Sequence, residues 1–365
     1  MVNEKDNLAI ERIQEEINKI DKNENNVYFY VMDTAGTPSG SLSYIYKLAL
    51  LLKEEGYNVS MLYQKGQEEF VGVGEWMGET YASLPHYDIS DEEISVSPSD
   101  ILFIPELFTN VMIQTKKLPC KRIGIMQNFD YLLEQMPVSA QWGDLGMMEA
   151  ITNTDMNGEL LKEVFPYVKT TTITPYVDNL FYKTNEPKKM IINIISKNGK
   201  NINSIIKPFY WKYPMYKWVT FRHLSGFPQE TFAKMLQEAA MTIWVDDETT
   251  FGQSLVEAIQ SGTLVIAKTC NNTPEWMEKD GVLRNSCIWF NDFNSVHKMI
   301  ASVIRAWITD NVPEEIERAA NDAVSNFSKE GTKKQIVDYI NKVFEGRKTE
   351  LYSMMNAIKG KKESE

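Results

Sequence analysis

Ile10, Ile13, Ile17 and Ile20 recur at helical spacing between charged residues, which predicts an amphipathic helix over 8–20. The run VYFYVMD (27–33) is continuously apolar and ends in an acid, as expected of a buried parallel strand. A glycine-bearing loop, TAGTPSGS, follows, then a helical pattern over 41–56 closed by Gly56 and a further strand over 57–64. Strand, loop, helix, glycine, strand is a right-handed βαβ unit. Strand-like runs continue at 100–107, 122–128, 148–155 and 170–177, with weaker helices between them. The polar stretch FYKTNEPKK (181–189) reads as a hinge between domains.

A second alternating series follows. Strands are predicted at 190–197, 217–224, 242–247, 263–269 and 287–292. Helices are predicted at 201–213, 228–241, 254–262 and 295–308. Two further helical stretches lie over 314–327 and 332–358, and a charged tail predicted to be disordered follows at 359–365. Neither series contains a repeat. The expected architecture is α/β: two doubly wound Rossmann-like domains with a cleft between them. The chain divides into 1–182, carrying the N-terminal helix, then 183–332, and a last helix over 333–358. The N-terminal isoleucine stripe can pack on its own chain or serve an oligomer.

Length and composition agree with this picture. A chain of 365 residues exceeds what one hydrophobic core normally supports. Apolar content of 43% and charged content of 24% are those of an ordinary globular protein. No apolar run is long enough to span a membrane, and the charged first twenty residues lack the core of a signal peptide. A cytoplasmic protein is expected. Cys120, Cys270 and Cys287 are far apart and form no metal-binding spacing, and there is no Asp-x-Asp. No metal is expected. A net charge of −12 argues against a general attraction to nucleic acid or anionic membrane. One stretch, KPFYWKYPMYKWVTFRH (207–223), interleaves cations with aromatic rings. It keeps nucleic acid open as an acceptor, while a helix and strand with buried rings and exposed lysines is the preferred reading.

The chemistry concentrates at DDETTFGQSLVEAIQSG (246–262). In an open parallel sheet ligands bind beyond the carboxyl ends of the strands. Here a strand ends and a helix begins, so free amides and the helix dipole favour an anion. Gly252 lets a phosphate approach the backbone, and Gln253 and Ser254 add side-chain donors. Glu257, one turn in, can accept hydrogen bonds from a ribose diol. These features together describe a nucleotide-diphosphate site.

The segment TTFGQSLVEAIQSGTLVIAKTCNNTPEWM resembles the donor signature of glycosyltransferase family 4 and its GT-B relatives. Phe251, Gly252, Glu257, Ala258, Gly262, Val265, Ile266, Ala267, Pro274 and Glu275 fall in register with it. The loop AGTPSGS, the helix end EEGYNVSMLY and the stretch TPYVDNLFY match further family features in order and distance. The resemblance covers nearly the whole chain and is strongest over 242–277. It implies a GT-B glycosyltransferase that retains anomeric configuration, uses no metal and takes a nucleotide-diphosphate sugar as co-substrate, with a glycan or other hydroxyl compound as acceptor.

The same resemblance implies residue roles. Glu257 binds the ribose; Thr250, Phe251, Gly252, Gln253 and Ser254 hold the donor. Lys197 matches a phosphate-binding arginine, and Lys200 stands in for a second base. Arg222 lies where it can face the donor or serve structure. The acceptor side comprises Asp33, Gly36, Ser39, Gly40, Ser41, Gln127, Asn128 and Asp130. Thr249 occupies the place of the family's first glutamate, with Glu248 one residue earlier; together with Lys197 these are the implied catalytic positions. A non-catalytic binding or scaffold subunit on the same fold is the alternative that Thr249 raises.

Overall fold

The computed structural model describes residues 4–20, 24–64, 72–90, 94–197, 199, 201–246, 249–270, 273–309 and 313–363. The first half of the chain runs α1 (Glu4–Lys19), β1 (Asn26–Tyr30), α2 (Gly40–Glu54), β2 (Asn58–Tyr63), α3 (Gly74–Met77), α4 (Glu79–Ala82) and β3 (His86–Asp88). It continues with β4 (Ile101–Pro105), α5 (Thr109–Gln114), β5 (Lys121–Met126), α6 (Phe129–Gln135), β6 (Glu149–Thr152), α7 (Asp155–Val164) and β7 (Lys169–Thr172). These strands form one seven-stranded sheet in the order β3-β2-β1-β4-β5-β6-β7, with every pairing parallel. β1 sits centrally, Val27 lying between Val59 and Ile101. Its apolar residues are buried on both faces, which is why it reads as an unbroken hydrophobic run.

The second half contains β8 (Lys189–Ile195), α8 (Ile202–Lys212), β9 (Thr220–Leu224), α9 (Gln229–Glu238), β10 (Ala239–Trp244), α10 (Gln253–Gln260), β11 (Leu264–Lys268), β12 (Cys287–Phe290) and α11 (Val296–Ile308). Its five strands are again all parallel, in the order β12-β11-β10-β8-β9. Two helices close the chain, α12 (Pro313–Asn326) and α13 (Lys329–Glu363). The expected fold class, two parallel-sheet α/β domains, is what the chain adopts.

Several local expectations change. The helix expected to reach 241 stops at Glu238, because Ala239–Trp244 pair with β8 and β11. Sheet pairing there overrides alanine's helix preference. The stretch 181–189, expected as a hinge, runs between β7 of the first sheet and β8 of the second and is anchored near both ends. Phe181 is fully buried against Phe232, and Lys188 donates to the carbonyls of Gln237 at 2.8 Å and Ser261 at 2.7 Å. The expected tail at 359–365 is helical as far as it is described, since α13 continues to Glu363, and 364 and 365 lie outside the described residues. Lys and Glu are good helix formers, and the segment holds no proline.

α13 starts at a cap, where the Ser328 hydroxyl accepts from the Gly331 amide at 3.2 Å. It returns to the first sheet, burying Ile336, Ile340, Phe344 and Leu351 in a core shared with α2 and β1. Tyr57 donates to Asn341 at 2.7 Å, and Lys329 pairs with Glu54 at 2.8 Å. α1 lies on α13, and Ile17 and Ile20 are buried in the same core with Ile13 packed against it. The N-terminal stripe is thus used within the chain. In 207–223, Phe209 is buried among Tyr210, Tyr213, Tyr216 and Phe221, and Lys207, Lys212 and Lys217 are exposed. Trp211, Met215 and Trp218 depart from the expected burial of large side chains and stay exposed. No helix among the described residues is long and apolar enough to cross a membrane.

Candidate functional site

Two helix starts face each other across the gap between the sheets. α2 begins at Gly40 behind a capping residue, Ser39, whose hydroxyl accepts from the Leu42 amide at 3.3 Å. The preceding loop turns through Ala35 and Gly36 at positive φ, with the Asp33 carboxylate accepting from the Ala35 amide at 2.8 Å. α10 begins after Gly252, whose φ of +79° is a left-handed conformation. A Cβ on Gly252 would also stand 2.6 Å from the terminal methyl of Met277 and 3.3 Å from Trp276, so a side chain there would add crowding to the backbone strain. Neither helix has an acid in its first turn. The first amides of a helix have no acceptor within it, so both ends offer donors to an anion. A Cβ on Gly40 would lie 3.9 Å from that of Gln253, which measures how closely the two ends approach.

A cavity of about 370 Å³ opens between them. From the first sheet it is lined by Ser39, Gly40, Ser41, Gln127 and Asn128; from the second by Lys197, Thr249, Thr250, Phe251, Gly252, Gln253, Ser254 and Glu257. These are sequence-predicted positions that the fold brings together. Their present engagements differ. Phe251 is a packing residue, edge-on to Trp276 and Phe327. Ser254 accepts from the Trp244 indole at 3.1 Å. The Thr249 hydroxyl accepts from the Gly252 amide at 3.1 Å, so the residue replacing the expected glutamate shapes the entry to α10. Thr250 donates its hydroxyl to the Gln127 carbonyl across the cleft. Lys197 lies by Tyr131 of α6, its Nζ 3.3 Å from the phenol oxygen.

Other predicted positions lie elsewhere. Arg222 does not line the cavity. Its guanidinium is held by Asn193 at 2.9 Å, Glu238 at 3.2 Å and the Met235 carbonyl at 2.6 Å, which ties β9 to β8 and α9. This corrects its assignment to the donor: a cation already matched by a carboxylate and two oxygens serves the fold. Asp33, Gly36 and Asp130 also stand outside the lining. Asp33 and Gly36 build the turn that delivers Ser39, and Asp130 opens α6 with its amide bound to the Asn128 side chain at 3.0 Å. Lys200 and Glu248 fall outside the described residues.

Glu257 is 6% exposed and takes a hydrogen bond from Gln253 at 3.0 Å. Burial pushes its carboxyl up to about 7, opposed by Lys47 and by the Gln253 bond. Lys47, on α2, was not anticipated. It is the lone charge in LSYIYKLALLL (42–52), and it is buried. Glu106 was missed as well. This buried acid at the end of β4 accepts from the amides of Gln127 at 3.1 Å and Asn128 at 2.8 Å, fixing the turn that presents both to the cavity. Its other carboxylate oxygen has no partner among the described residues, and burial pushes the carboxyl up to about 7. The Gln127 carbonyl is in turn a junction, accepting from Asn153, Asn157 and Thr250.

No protein-family model matches the chain. Over 225 residues it is 25% identical to an alpha-1,6-glucosyltransferase of Actinobacillus pleuropneumoniae serotype 7 (strain AP76). That match takes in 59% of this chain and 64% of the relative, so it spans less than two thirds of that protein. Among solved structures, sucrose-phosphate synthase from Thermosynechococcus elongatus superposes with a TM-score of 0.62 at 11% identity, over 88% of this chain and 100% of that one. Anabaena HepE in complex with UDP and glucose gives 0.63 at 12% identity, over 87% and 100%. The pneumococcal O-GlcNAc transferase GtfA, in complex with UDP and GlcNAc, gives 0.61 at 10% identity, over 88% and 99%. At these identities the likeness is one of fold. The two parallel-sheet domains match the GT-B glycosyltransferase arrangement.

Proposed function

We propose that the chain is a glycosyltransferase that takes a nucleotide-diphosphate sugar, with UDP as the carrier, into the cleft between its two domains, 1–182 and 183–332. The observation that carries this reading is the meeting, in one cavity, of two acid-free helix starts with the buried carboxylate of Glu257. The amides of α2 and α10 suit a diphosphate, and Glu257 suits the two ribose hydroxyls. The glucosyltransferase relative and the fold support it. The bond broken joins the sugar's anomeric carbon to the diphosphate oxygen; the bond formed joins that carbon to an acceptor hydroxyl, whose proton is lost. Negative charge grows on the departing UDP, where the helix amides and Lys197 can stabilise it without a metal. Retention of configuration, metal independence and membership of family 4 belong to this proposal and rest on the donor motif.

A glycan is the favoured acceptor. The basic and aromatic stretch that kept nucleic acid in view contributes no residue to the cavity, and Tyr210, Tyr213, Tyr216 and Phe221 of it pack around Phe209, while Trp211 and Trp218 are exposed away from the cavity lining.

The test is a screen of common nucleotide sugars in EDTA, read by thermal shift and by release of the nucleotide. A UDP-sugar at ~100 times its Kd is expected to stabilise the fold by about 2.7 kcal/mol and to release UDP slowly to water. Stabilisation with no release, even with glycan acceptors present, would favour a non-catalytic binding subunit. No response to any donor would refute the reading.

A further inference from the structure

A buried ammonium is costly unless its surroundings repay the lost hydration. Lys47 is 2% exposed and sits on α2, a helix with eleven buried residues. Its Nζ donates to the Tyr176 carbonyl at 3.2 Å and lies 4.8 Å from the centroid of that residue's ring. Gln253 reaches the same carbonyl at 3.4 Å, and from there holds Glu257 at 3.0 Å. One carbonyl oxygen, in the segment joining the two sheets, therefore gathers α2 of the first domain and α10 of the second. A methionine of similar length would fill the space occupied by Lys47 without the hydration cost. The ammonium calls for an explanation in terms of its neighbours.

We infer that Lys47 is a positioning residue of the donor site, which holds the Glu257 carboxylate ionised while the two domains are in contact. The inference rests on Glu257 being the ribose ligand. An ionised carboxylate accepts hydrogen bonds from both ribose hydroxyls, whereas a protonated one has lost part of that capacity. Glu257 is carried by the second domain and Lys47 by the first, with the Tyr176 carbonyl and Gln253 between them, so their attraction couples nucleotide affinity to closure of the cleft.

Among the described residues, the remaining charged and titratable groups facing this cluster are Asp178, Tyr81 and Tyr176, with Glu54 acting on the two phenols from the end of α2. Asp178 opposes the ionisation of Glu257, and the Tyr81 hydroxyl lies 3.4 Å from both the Asp178 carboxylate and the Tyr176 hydroxyl. Burial raises both phenols well above their ordinary range, so they stay protonated near neutrality.

The experiment is a titration of UDP into the wild-type chain and into Lys47→Met and Lys47→Arg, from pH 6 to 8.5, with folding followed by circular dichroism. The terminal phosphate of UDP titrates near pH ~6 in every case, so the comparison between variants cancels it. Wild-type affinity is expected to weaken as pH falls through about 7. Lys47→Met is expected to move that midpoint upward by about one pH unit, so affinity near pH 7 drops several-fold and recovers toward the wild-type value at pH 8.5. Lys47→Arg is expected to keep the wild-type midpoint. Should the methionine variant fail to fold, Lys47→Gln keeps a donor for the Tyr176 carbonyl, lacks the charge and reads the same shift. An unmoved midpoint, or uniform weakening at every pH, overturns the role of Lys47 and leaves the donor reading standing. Absence of UDP binding by the wild type at pH 8.5 overturns both.

Discussion

Glu257→Gln is expected to fold normally and to bind UDP roughly 30–150-fold more weakly than the wild type at pH 8. A hydrogen bond to a charged group contributes about 1.5–3 kcal/mol, and the amide has a single acceptor oxygen where the carboxylate proposed as ribose ligand has two. A loss of about 2–3 kcal/mol corresponds to that range of affinity. The variant separates function from folding because the two effects have opposite signs. Glu257 is buried, and its carboxyl is pushed up to about 7. Ionised at pH 8, it is a cost to the folded chain, so removing the charge relieves it. Calorimetric titration with UDP and a urea melt on the same preparation check both statements. Wild-type affinity in the variant would show that the carboxylate is not the ribose ligand.

Glu106→Gln is expected to change how stability depends on pH. The folded carboxyl is raised to about 7 against 4.5 for the free group, because burial outweighs the amides of Gln127 and Asn128. As pH rises between those values the unfolded chain gives up its proton first. The contribution of Glu106 is therefore complete below 4.5 and is lost as pH passes about 7. The full shift corresponds to a few kcal/mol, on the order of 3. Glutamine keeps an oxygen for both amides and carries no charge. Urea melts at pH 5 and pH 8 are expected to find the variant close to the wild type at pH 5 and more stable by a few kcal/mol at pH 8. Parallel curves for the two proteins would show that Glu106 is not a desolvated acid.

The parts of the site that could be read from the sequence are those whose cause is local. Gly252 announces a left-handed turn before a helix, and Gly40 follows a serine that caps α2; both act within a few residues of themselves. Lys47 and Glu106 act across the fold. Lys47 interrupts an apolar helix run and Glu106 ends an apolar strand, and a lone charge in such a setting was the available signal. Their partners, the Tyr176 carbonyl and the amides of Gln127 and Asn128, are distant in sequence and carry no side-chain signature. Arg222 carried two readings, facing the donor or serving structure, and only its contacts decide between them: Asn193 on the neighbouring strand and Glu238 at the end of the next helix hold it. At the level of the fold, β3 escaped notice because three residues, His-Tyr-Asp, have no period to detect. The long strands, helical in neither period nor length, were clear because burial on both faces leaves a continuous apolar run.

The most direct test of a nucleotide-sugar site in this cleft is calorimetric titration of UDP into the wild-type chain at pH 8 in the presence of EDTA. Saturable binding at one site per chain, abolished or greatly weakened in Glu257→Gln, is the result expected. A wild-type chain that gives no heat and no shift in its melting temperature with UDP in large excess would contradict it.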